Sequence, residues 1–104
     1  VGINPVSTVF PYQFALSQNY PNPFNPVTRI RFDIQKSEFR SQNLEVTLKI
    51  YDALGREVET LVNEQLAPGT YETTFDGSSL NSGVYFYKLS AGDFSETKRM
   101  VLLK

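Results

Sequence analysis

A chain of 104 residues with net charge −1, no histidine and no cysteine rules out several classes at once. Without His there is no Ser-His-Asp triad and no imidazole proton shuttle; without Cys there is no thiolate nucleophile, disulfide or thiolate metal site. No run of Lys and Arg offers the cluster that phosphate contacts need, and no apolar stretch approaches the ~20 residues that span a bilayer, so neither nucleic acid nor a transmembrane segment is expected.

The length suits one domain, which would bury roughly 65% of its unfolded surface. Hydrophobic residues make up 40%, and the aromatics are eight Phe and six Tyr, which favour strands. The chain starts at Val1 and carries no signal peptide, so it reads as a piece of a longer protein. Residues 1–12 are expected to be a linker from a preceding domain, and 13–104 the domain itself.

Seven short runs read as strands between turn signals. The first, about Tyr12–Ser17, places Phe14 and Leu16 on one face. NYPNPFNP (19–26) ends it. Tyr20, Asn22 and Asn25 each precede a proline, which disfavours helical backbone there, and the prolines lack an N–H. The segment is expected to stay out of any sheet ladder. It serves either as a rigid crossover that blocks an edge or as a preordered recognition feature. In the second run, Thr28–Ile34, Ile30, Phe32 and Ile34 alternate with Arg29, Arg31 and Asp33, the pattern of a half-buried strand.

A polar loop at 35–43 leads to LEVTLKIYD, with Leu44, Val46, Leu48 and Ile50 inward. DALG (52–55) is a tight turn in which Gly55 supplies a positive φ. The fourth strand is about Arg56–Val62 and the fifth Thr70–Asp76. The sixth, Val84–Ser90, is apolar on both faces for most of its length, as a central strand is. AGD (91–93) is a second tight turn, and Glu96–Leu103 is the last strand. The turns pair strands three with four and six with seven. Spacing and alternation predict an all-β, seven-stranded Greek-key β-sandwich of the immunoglobulin or fibronectin-III kind, with strands 1, 2 and 5 against 4, 3, 6 and 7.

LAPGTY (66–71) and LNSGVY (80–85) share the pattern Leu-x-x-Gly-x-Tyr. Each could be a tyrosine corner, the hydroxyl held on upstream backbone, or an ordinary Gly turn; Tyr85 is the stronger candidate.

Site chemistry is sparse. Asp52, Asp76 and Asp93 sit at predicted turns, where Asp usually bonds its own backbone rather than performing acid–base work. Asn22, Asn25, Asp52, Asp76 and Asn81 could offer loop oxygens to calcium, but no dense acidic cluster exists, and no metal or cofactor is expected. Tyr20, Phe24, Tyr51 and Phe94 could form a carbohydrate platform, weak without Trp; Phe24 and Phe94 are better placed to cap the core.

FALSQNYPNPFNPVTRIRFDI, VTLKIYDALGREVETLV, LAPGTYETTFDG and LNSGVYFYKLSAGDFSETKRMVLLK together resemble the C-terminal sorting domain of the type IX (Por) secretion system, type A, over about Phe14 to Lys104. Related immunoglobulin-like modules include that of the flagellar hook-capping protein. The resemblance implies a terminal, non-enzymatic module that takes N-terminal cargo in the same chain through the periplasm and the outer-membrane translocon. It also implies a sortase-like peptidase as a further partner, and a final location at the cell surface or outside. The matching residues are Pro21, Asn22 and Pro23 in the first box, and Tyr51, Asp52, Gly55 and Arg56 in the hairpin. Gly83, Tyr85, Lys98 and Lys104 complete the set. Lys98, Arg99 and Lys104 are either a partner contact or charges that protect an edge strand. A monomer is expected. The competing reading is an accessory sandwich module of a secreted enzyme, a spacer or weak carbohydrate binder.

Overall fold

The computed structural model describes residues 3–7, 11–36 and 43–104. Residues 37–42 of the expected polar loop, and 1–2 and 8–10 of the expected linker, lie outside the described residues. Eight strands and no helix occur among the described ones: β1 (Ile3–Ser7), β2 (Ala15–Leu16), β3 (Val27–Ile34), β4 (Leu44–Asp52), β5 (Glu57–Leu66), β6 (Gly69–Asp76), β7 (Gly83–Ala91) and β8 (Phe94–Leu102). They form two antiparallel four-stranded sheets, ordered β1-β6-β3-β2 and β5-β4-β7-β8. The sheet partition follows the sequence expectation, and the two hairpins pair as the turns require.

Alternation does the sorting. On β3 the residues Ile30, Phe32 and Ile34 are fully buried, as is Phe75 on β6. They share one core with Val46, Leu48 and Ile50 of β4, Tyr87 and Leu89 of β7, and Met100 and Leu102 of β8. Each such side chain contributes about 1.5–3 kcal/mol by leaving water. The Arg29, Arg31 and Glu72 positions face the other way.

The expected seven strands become eight. Ile3–Ser7, assigned to the linker by sequence, pairs with β6 along the edge of the first sheet. The first expected strand shrinks to Ala15–Leu16, with Tyr12 exposed. The fourth runs on to Leu66, which pairs with Leu44, and two register shifts interrupt its alternation; at one of them Leu48 pairs Val62 and Lys49 pairs Thr60, so Leu61 bulges between them. Leu61 and Val62 are consequently both buried. At the β4–β5 turn Gly55 has φ +84°, a conformation that favours glycine.

Both Leu-x-x-Gly-x-Tyr segments are tyrosine corners. The Tyr71 hydroxyl donates to the Ala67 carbonyl and the Tyr85 hydroxyl to the Asn81 carbonyl, each at 2.7 Å. The echo in sequence is thus an echo in geometry, at the starts of β6 and β7.

Candidate recognition surface

The box around Pro21–Pro23 is built on a buried asparagine. Asn19 is almost fully enclosed. Its side-chain amide donates to the Thr28 hydroxyl (3.0 Å) and to the Pro21 carbonyl (3.1 Å), while Thr28 donates to that same carbonyl (2.8 Å). Its backbone N–H donates to the Tyr87 hydroxyl (2.8 Å), which donates in turn to the Ser17 carbonyl (2.7 Å). Tyr87 therefore ties the second sheet to the start of the box. Burial pushes its phenol up to about 12, a shift opposed by the Asn19 N–H.

From this anchor the chain reaches the outer edge of β8. Gln18 Nε2 donates to the Arg99 carbonyl (2.7 Å) and Asn22 Oδ1 accepts the Val101 N–H (3.0 Å). Phe24 donates its N–H to the Val101 carbonyl and accepts the Leu103 N–H, both at 2.9 Å, a short parallel bridge. This corrects the expectation that the segment stays out of a ladder: the prolines lack donors, but Phe24 between them does not. The segment does block an edge, and the edge belongs to the last strand. Phe24 is 1% exposed and meets Phe75 edge-on, with ring centroids 5.9 Å apart. The peptide bonds preceding Pro21, Pro23 and Pro26 are all cis.

The hairpin residues are held by Asp52. One carboxylate oxygen accepts the Leu54 and Arg56 N–H groups, each at 2.9 Å, and the other accepts Arg56 Nε at 2.9 Å. These bonds, with the Arg56 N–H foremost, hold the Asp52 carboxyl below its ordinary value. Asp76 likewise accepts the Ser78 hydroxyl and N–H and lies below its ordinary value. Both are turn acceptors, as Asp at turns usually is.

Several matched residues converge at one end of the second sheet. Asp52 is opposite Tyr85, and Gly83 opposite Leu102. Asp52, Leu54, Arg56, Ser82, Gly83 and Tyr85 help line a shallow depression of about 260 Å³. The Lys104 N–H donates to the Ser82 hydroxyl (2.9 Å), and its ammonium to the Ser78 carbonyl. With Asn22 on Val101, and Val101 opposite Val84, the box, the C-terminal residues and the hairpin form a continuous band. Lys98 stands apart. It lies on the core-facing side of β8, opposite Tyr87, and pairs with Glu96 at 3.4 Å.

Sequence reasoning missed Asn19 and Tyr87. A tyrosine amid apolar residues of a central strand must find a partner for its hydroxyl, and that signal could have pointed to a clip. Nothing local marks Asn19 as buried.

Among the described residues no group of three or more His, Cys, Asp or Glu is placed to hold a metal ion, and no helix is long and apolar enough to cross a membrane. The class so defined is a two-sheet β domain whose polar side chains mostly brace backbone and whose distinctive surface is a band of turns and a latched terminal strand. The chain belongs to the family described as the secretion system C-terminal sorting domain, whose profile matches residues 18–103. Members of this family are C-terminal sorting signals for type IX secretion, which implies contact with that machinery, cargo in the same chain, and export to the cell surface or beyond. Comparison with curated proteins and with solved structures gives no match.

Proposed function

We propose that this chain is a non-catalytic module read by the type IX translocon in its folded state, through the band formed by Pro21–Pro23, Asp52–Arg56, Gly83, Tyr85 and the C-terminal residues. The observation carrying this is the latch of Asn22 and Phe24 on Val101 and Leu103, which presents the family-matched box and the C-terminal residues as one surface. Cargo precedes the domain ahead of β1, transits the periplasm, and meets a sortase-like peptidase after crossing the outer membrane. The module acts as a monomer and needs no cofactor. Within the band, Gly55, Tyr85 and the Asp52–Arg56 pair set the backbone shape, while Pro21, Asn22, Pro23 and Lys104 offer contacts. Lys98, paired with Glu96, contributes by protecting the edge.

The test is a periplasmic reporter fused ahead of residues 1–104 in a host with a type IX system. The intact fusion is expected outside the cell, and deletion of 97–104 is expected to leave it in the periplasm. Lys98→Ala with Lys104→Ala separates charge from packing. Lost export at unchanged melting temperature assigns the charges to a partner. Unchanged export would leave them as edge protection. An intact fusion retained in the periplasm would sink the reading.

A further inference from the structure

Outside the band, the outer face of the first sheet carries a depression of about 370 Å³ lined by Ser17, Gln18, Tyr20, Arg29, Arg31 and Glu72. Its geometry is fixed by backbone. Tyr20 and Arg29 exchange both N–H···O bonds at 2.9 Å, so they are direct cross-strand partners and their side chains share a face. Tyr20 is nonetheless 74% exposed, a large ring in water on an ordered backbone. Arg31 lies two residues along on that face and pairs with Glu72 at 3.1 Å. The Arg29 side chain has neither a hydrogen-bond nor an ion-pair partner among the described residues, and the residue's neighbour on β6 is Thr74.

We infer that this site docks an acidic segment of a protein of the export machinery, a carboxylate seating on Arg29 and apolar surface on the Tyr20 ring. The inference rests on the sorting reading and adds a second contact face to it. Charge complementarity selects the occupant. A guanidinium fork without a partner, on a molecule of net charge −1, matches a carboxylate bidentately, and exposed Tyr beside Arg is the composition that anchors protein interfaces. Because the ring's backbone is already ordered, binding costs little further ordering. Two rival occupants fit less well. A saccharide platform needs a row of rings, and among the described residues Tyr20 is the one ring lining this depression. An added β-strand needs an unbroken edge, and beyond the two residues of β2 the chain bulges: Ser17 bonds Arg31, Tyr20 bonds Arg29, and Asn19 turns into the core.

The experiment uses the same reporter fusion, with Tyr20→p-benzoylphenylalanine as a photo-crosslinker and Arg29→Glu, Arg29→Lys and Tyr20→Ala as variants. Expected are an adduct to a protein of the export machinery through a peptide holding at least two Asp or Glu, and loss of that adduct in Arg29→Glu. Export should fall at least tenfold in Arg29→Glu and by less in Arg29→Lys, which keeps the charge but not the fork, with melting temperatures of the purified variants unchanged. An adduct to saccharide, an adduct peptide lacking carboxylates, no adduct in cells that export the fusion, or wild-type export by Arg29→Glu would each overturn the inference. If the unmodified fusion is not exported, the sorting reading itself fails and takes this inference with it; export by the unmodified fusion with indifference to Arg29 fails this inference alone.

Discussion

The two edges of the second sheet solve one problem in opposite ways. An edge strand exposes unpaired N–H and C=O groups that invite other chains. β8 has part of its edge covered by its own chain, with Gln18, Asn22 and Phe24 bonded to Arg99, Val101 and Leu103. β5 has no such cover described; it is bent by two bulges and lined with Glu57, Glu59 and Glu64. One edge is closed by structure and the other by irregularity and charge. The covered edge is therefore coupled to distant sequence, and the charged edge is not.

Four perturbations can break or sharpen that contrast. The largest effect should come from Phe24→Ala, which empties a core position and loosens the latch. About 3–5 kcal/mol should be lost in urea denaturation, and a loss under 1 kcal/mol would show the box to be peripheral.

Tyr87→Phe should cost about 1–3 kcal/mol, because it leaves the Ser17 carbonyl and the Asn19 N–H without their partner. The same phenol gives a pH signature. Its folded pKa is raised to about 12, above the ordinary value of 10, so the folded state keeps a proton that the unfolded chain gives up. Its stabilisation is full below pH 10 and is lost as pH rises toward 12. Wild type should lose stability faster than Tyr87→Phe across that window; parallel curves would contradict the buried clip.

Asn22→Ala removes one exposed hydrogen bond to β8 and should cost about 0.5–1.5 kcal/mol. Hydrogen exchange should quicken at the Val101 amide and stay unchanged along β5. Uniform acceleration would mean that the two edges are not independent.

The smallest effect on stability belongs to β5. Glu59→Thr with Glu64→Thr should change folding free energy by less than about 0.5 kcal/mol. It should raise light scattering with protein concentration, because the charges act against association. A variant that stays monodisperse would credit the bulges alone.

The sheets were legible because alternation is strong where one face is buried: Ile30, Phe32 and Ile34, and Val46, Leu48 and Ile50, could point only one way. The twin tyrosine corners were legible because the same spacing recurs. The β5 bulges were hidden because Leu61 and Val62 are adjacent apolar residues, which a period of two cannot place on one face. The covered edge of β8 was hidden for another reason. It depends on backbone groups of Phe24 meeting Val101 and Leu103 across most of the chain, and nothing in a local pattern carries such a pairing. Within the candidate surface, Asp52, Gly55 and Tyr85 were readable from turn chemistry. The exposed Tyr20 across the strand from an unpaired Arg29 side chain was not, since alternation alone does not say which outward residues lie next to each other.

The latch also fixes when the domain can finish folding. Its bonds join residues 18–24 to 99–103, among the most widely separated pairings in the fold, and such contacts form only after a large loop is closed. A nascent chain halted before Arg99 lacks the part of β8 that the box covers, and leaves residues 83–86 of β7 without their outer neighbour. It should remain protease-sensitive where the complete chain resists. Folding of the domain thus waits for its last strand, and the surface shared by the box and β8 exists only once both have met.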